Sequence, residues 1–81
     1  MPKLIVEVLT SSASPRNHEK VFLEIEKGFM PNTWLEEYTD SDGQAEFNLP
    51  ENCVVDISVG GSVQENVIRI GRSPKGITIT L

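Results

Sequence analysis

Residues 38–50 constrain this chain more than any other stretch. They run from Tyr38 through an acidic turn, Asp40-Ser41-Asp42-Gly43, into a segment whose apolar residues recur at every second position. Ala45, Phe47 and Leu49 fall on one face, and Gln44, Glu46 and Asn48 on the other. Period-two alternation of this kind describes a half-buried strand, and Pro50 ends it. Asp-Gly is the strongest short-range hairpin signal, because Gly43 takes a positive φ without penalty and Asp42 tolerates one. The stretch therefore predicts two strands joined by a tight turn.

Five further strands fit that picture, and the first of the two joined by the turn is residues 33–39. Residues 4–10 are rich in branched side chains, with Leu4, Val6 and Val8 on one face and Ile5 and Leu9 opposite. A polar loop follows over residues 11–18. Residues 20–27 alternate, with Val21, Leu23 and Ile25 on one side and Glu24 and Glu26 on the other. Residues 28–32 turn the chain through Pro31, and residues 33–39 form a third strand. Val55, Ile57 and Val59 alternate over residues 53–59, and Gly60-Gly61 provides a two-residue hairpin turn before a strand at 62–70. After a turn at 71–76, Ile77, Ile79 and Leu81 alternate with Thr78 and Thr80. Strands at such regular spacing, with Gly and Pro between them, predict a seven-stranded antiparallel β-sandwich. The expected core is Val6, Val8, Val21, Leu23, Ile25, Ala45, Phe47, Leu49, Val55, Ile57, Val59, Ile77 and Ile79.

At 81 residues the chain is read as a single domain, 1–81. A chain of this size buries roughly 60–65% of its unfolded surface, enough for one modest core. The single Cys53 excludes an internal disulfide, so packing alone must hold the fold. No apolar run approaches the ~20 residues that span a bilayer. The N-terminus lacks the pattern of a signal peptide, so a cytoplasmic protein is the default expectation, and an extracellular one if the domain is excised from a longer chain. The net charge of −5 argues against nucleic acid, which needs clustered Lys and Arg. Eleven of the 12 acidic residues lie at or before Asp56, while Arg69, Arg72 and Lys75 give the last third a positive excess.

From residue 20 onward the order of motifs resembles the transthyretin-like (prealbumin-like) sandwiches, including carboxypeptidase regulatory-like and collagen-adhesin B-type domains. The resemblance is carried by Val21-Phe22-Leu23-Glu24-Ile25, by Thr39-Asp40-Ser41-Asp42-Gly43, by Phe47-Asn48-Leu49-Pro50 and by Val55-Asp56-Ile57-Ser58-Val59-Gly60. It implies a transthyretin-like or immunoglobulin-like sandwich acting as a spacer, a regulatory appendage or an adhesive module, and such folds host unrelated roles. Adhesin repeats often join a first-strand Lys to a last-strand Asn. Lys3 could supply the amine, but residues 76–81 contain neither Asn nor Asp. The purine-pathway hydrolases of this fold need several His and Arg residues and a C-terminal Tyr-Arg-Gly-Ser. Here His18 stands alone and the sequence closes on Thr78-Ile79-Thr80-Leu81.

No residue pattern supports catalysis. Asp40-x-Asp42-Gly43 invites calcium, but an EF-hand count from Asp40 puts Ala45 where glycine is required. Asp40 is expected instead to accept backbone N–H bonds within its turn. Cys53, flanked by strand residues, reads as a small buried hydrophobe. Ser11, Ser12 and Ser14 have no base at a recognisable spacing. Neither a metal nor a cofactor is expected.

The strongest functional candidate is the segment Gly28-Phe29-Met30-Pro31-Asn32-Thr33-Trp34, read as a loop at one end of the sandwich. Phe29, Met30 and Trp34, with Phe22 beside them, are expected to form either a partner-binding patch or a lid over the core. The expectation is a non-enzymatic interaction or accessory module with a protein or carbohydrate partner. The alternatives are an oligomerisation domain that pairs through edge strands, the first strand foremost, and a small-ligand module. Lys3, Glu7 and Lys20 discourage edge pairing, so a monomer is expected over a dimer.

Overall fold

The computed structural model describes residues 2–27 and 30–81, with the side chains of residues 27 and 30–32 left out of the description. Seven strands follow one another: β1 Lys3–Leu9, β2 Lys20–Lys27, β3 Met30–Tyr38, β4 Gln44–Asn48, β5 Cys53–Val59, β6 Ser62–Ile70 and β7 Lys75–Thr80. They form a three-stranded sheet of order β4-β1-β7 and a four-stranded sheet of order β3-β2-β5-β6. The chain is an all-β sandwich.

Its core follows the period-two pattern of the sequence. Val6, Val8, Val21, Leu23, Ile25, Ala45, Phe47, Leu49, Val55, Ile57, Val59 and Ile79 are all buried. Ile77 is only partly buried, because β7 lies at the edge of its sheet. Leu4, Cys53, Ile68 and Ile70 complete the cluster. Each buried aliphatic or aromatic side chain contributes about 1.5–3 kcal/mol, which is how a domain without a disulfide holds together.

Three expectations are corrected. First, the sandwich is not wholly antiparallel: β1 pairs antiparallel with β4 but parallel with β7, Val6 opposite Ile77 and Val8 opposite Ile79. A parallel pair needs a long crossover, and here nearly the whole chain between β1 and β7 supplies it. β1 is thus paired on both sides and is no edge, so the charges of Lys3 and Glu7 guard nothing. Second, the Asp40–Gly43 turn is not a hairpin, since β3 and β4 belong to different sheets. Of the Asp42-Gly43 pair, Gly43 alone takes a positive φ, 75°. The Gly43 carbonyl accepts the Val8 N–H at 2.7 Å, which draws the turn onto β1 and away from β3. Third, β3 begins at Met30 rather than residue 33, with Met30 paired to Lys27. Proline is tolerated within a strand when the strand is an edge, and β3 is one.

Other local readings hold. Asp40 Oδ1 accepts the N–H groups of Asp42 at 2.9 Å and Gln44 at 3.1 Å. Gly60 and Gly61 both take positive φ, 60° and 87°, in the β5–β6 hairpin. Buried Thr39 clasps the end of the polar loop: its hydroxyl donates to the Arg16 carbonyl at 2.5 Å and accepts the Glu19 N–H at 2.8 Å.

Candidate functional site

Strand parity decides which side chains reach solvent from the four-stranded sheet. On β2, Val21, Leu23 and Ile25 point into the core, so Phe22 and Glu24 point out. The β2–β3 register places Phe22 opposite Glu36, Glu24 opposite Trp34 and Lys20 opposite Tyr38. Trp34, Glu36 and Tyr38 therefore share the outer face with Phe22. Each aromatic stands across from a charge, in a checkerboard that spans the two strands. Lys20 and Glu36 close one diagonal with an ion pair at 3.2 Å. Both partners are about half exposed, and such pairs orient side chains more than they stabilise.

Two of the aromatics are open to solvent. Trp34 is 54% exposed and Tyr38 is 47% exposed. Phe22 is half-buried, and with Lys20, Ser58 and Gly61 it lines a shallow cleft of about 320 Å³ on the same face. The Tyr38 ring packs on His18, with centroids 4.8 Å apart and planes tilted by 33°. That contact holds the end of the aromatic row against the preceding loop, where His18 itself takes a φ of 61°.

Of the residues expected to bind a partner, Phe22 and Trp34 are brought to one face as diagonal neighbours across β2 and β3. Trp34 sits mid-strand, not on a loop, and its exposure rules it out as a lid over the core. Met30 lies on the β3 backbone, its side chain outside the described part. Phe29 lies outside the described residues. Tyr38 was missed by sequence reasoning although its signal was present: it is four residues from Trp34 in the same strand and so shares its face.

The opposite outer face, on the three-stranded sheet, sets half-buried Ile5 and Leu9 of β1 among polar side chains, several of them paired. Lys3 Nζ meets Glu46 Oε1 at 2.6 Å, and the hydrogen bond and then the charge of Glu46 raise the Lys3 pKa above 10.5. Thr78 donates to Glu7 Oε1 at 3.3 Å. The positive excess of the last third gathers around a second open cleft, of about 300 Å³, between Arg69, Arg72 and Lys75. There Arg72 faces Glu51 at 3.7 Å, and Lys75 donates to the Arg69 carbonyl at 3.3 Å. Among the described residues, no three His, Cys, Asp or Glu side chains come together as a metal site would require.

No protein-family model matches the sequence. A search of curated proteins likewise finds no match. Among solved structures, the chain is similar to a 9R-lipoxygenase from Cyanothece PCC8801, with a TM-score of 0.53 and 14% identity. The alignment covers 99% of this chain and 16% of that one. The likeness is one of fold: a small two-sheet β-domain matched to a minor part of a much longer protein.

Proposed function

We propose that this chain is a non-enzymatic interaction module that docks a protein partner on the outer face of the four-stranded sheet. The observation that carries the reading is the placement of Trp34 and Tyr38, each about half exposed, on one side of edge strand β3 with Phe22 beside them. Covering a large aromatic removes roughly 150–250 Å² from water, and such residues dominate binding energy where they occur at interfaces. Charged side chains, Lys20 paired with Glu36 among them, alternate with the rings, a pattern suited to a partner surface that mixes apolar and polar side chains.

Two of the candidate nucleophiles, Cys53 and Ser12, have their reactive atoms tied into the fold, which supports a binding role. The Cys53 thiol is buried and donates to the Pro50 carbonyl at 3.2 Å. The Ser12 hydroxyl is hydrogen-bonded to the Thr10 hydroxyl at 3.0 Å, and the Thr10 hydroxyl also accepts the Ser14 backbone N–H at 3.1 Å. The transthyretin-like, carboxypeptidase regulatory-like reading of the motifs fits this role, and seven strands in two sheets support it. Replacing Trp34 and Phe22 by serine tests the proposal. The variant is expected to keep a cooperative thermal transition and lose the partner. A variant that unfolds would make these residues structural and sink the reading.

A further inference from the structure

The sandwich has four strand edges: β4 and β7 in one sheet, β3 and β6 in the other. An open edge presents unpaired backbone groups, and proteins blunt it with charges, proline, bulges or short strands. Three of the four edges carry such devices. β3 contains Pro31 and the consecutive charges Glu36 and Glu37. β4 has five residues, with Glu46 at its centre. β6 pairs with β5 through two register shifts and carries Val67 in a left-handed conformation, φ 57°. β7 has one charge, Lys75, at its first position. From Gly76 to Leu81 there is no charged side chain, no proline and no left-handed residue.

The backbone direction of β7 is fixed by one hydrogen bond. The Leu81 N–H donates to the Leu9 carbonyl at 2.8 Å, so the groups of residues 77, 79 and 81 turn toward β1. Those of Gly76, Thr78 and Thr80 therefore turn outward to the open edge. We infer that this edge pairs antiparallel with β7 of a second copy of the chain, forming a two-fold dimer whose small sheets join into one continuous sheet. The register centred on Thr78 uses every outward group: Thr78 meets its own copy, and Gly76 meets Thr80. Both are hydrogen-bonded pairs of an antiparallel ladder.

The sequence of β7 is complementary to itself in that register. Ile77 is placed opposite Ile79 of the other copy, and Thr78 opposite Thr78, both favourable cross-strand pairs. Ile77, left partly buried by its edge position, gains the cover that the monomer does not give it. The Glu7 carboxylates sit one strand further in on each side. They are separated by three inter-strand steps, about 14 Å, beyond the screening length at physiological salt. The dimer is independent of the aromatic face, which belongs to the other sheet. Because the contact is one strand long, it is a weak, reversible dimer.

Sedimentation equilibrium from micromolar concentration to about 1 mM tests the inference, together with residue-resolved amide exchange at the two ends of that range. The expected result is a concentration-dependent dimer, with the Thr78 and Thr80 amides slowing as it forms. Thr78→Pro removes an outward N–H, along with the exposed hydroxyl bond to Glu7, and is compatible with an edge strand. Thr78→Lys places two like charges on the two-fold axis. Each should lower the association constant at least tenfold while leaving a cooperative thermal transition in the Lys variant. A monomer throughout the range would overturn the inference. So would a dimer that survives both substitutions, or one that Trp34→Ser breaks instead.

Discussion

Gly43 is locked against Val8. Its carbonyl accepts the Val8 N–H at 2.7 Å, and a Cβ placed on it would lie 2.8 Å from the Val8 carbonyl oxygen and 3.0 Å from Pro15 Cβ. With φ at 75°, the position is closed to side chains twice over, by conformation and by space. Gly43→Ala is expected to destabilise the fold by at least about 2 kcal/mol, since the left-handed penalty alone is about 1–2 kcal/mol. Denaturant titration checks it. A midpoint unchanged from the parent chain would show that the β3–β4 crossover does not need this approach.

Thr39 provides a second test of how that crossover is anchored. Its buried hydroxyl serves the Arg16 carbonyl and the Glu19 N–H together. Thr39→Val preserves shape but removes both bonds, and should cost about 1–3 kcal/mol. Thr39→Ser keeps the hydroxyl and should recover most of the loss. Equal destabilisation by the two substitutions would place the effect in the methyl group instead.

Val67 is a β-branched residue held at φ 57° in the middle of β6, with its N–H on Asp56 Oδ1 at 2.9 Å and its side chain 64% exposed. Little packing offsets the strain of that conformation. Val67→Gly is therefore expected to stabilise the protein by about 1 kcal/mol, an unusual sign for a strand substitution to glycine. A loss of stability on thermal unfolding would contradict the left-handed assignment.

Calcium should have no effect on stability. Asp40 directs Oδ1 at two backbone N–H groups of its own turn, which satisfies the carboxylate without an ion. Chelator and added calcium should both leave the melting temperature unchanged. A rise of several degrees at sub-millimolar calcium would reveal binding through its linkage to folding.

Much of this architecture was legible in the sequence, because period-two alternation needs no tertiary information. The buried set on β1, β2, β4 and β5 follows from parity alone, as does the Gly60-Gly61 hairpin. Strand pairing across the chain was not legible. The Asp42-Gly43 signal specifies a turn and says nothing about which sheet receives β4, and the parallel β1–β7 ladder joins residues some seventy positions apart. Ile68 and Ile70 were overlooked as core because the bulges of β6 interrupt its alternation. For the site, the residue types Phe22 and Trp34 were readable. Their common face depended on the β2–β3 register, Glu24 opposite Trp34, which a local reading does not supply.

The central claim is that the Trp34 side of the four-stranded sheet is the docking face. Site-specific photo-crosslinking tests it most directly, with a photoreactive residue placed at position 34 and, as a control, at position 46. Glu46 is similarly exposed but lies on the outer face of the other sheet. The account predicts a discrete crosslinked protein partner from position 34 that is absent from position 46 and is competed away by the unmodified chain. Equal crosslinking from both positions, or a discrete partner from position 46 alone, would contradict it.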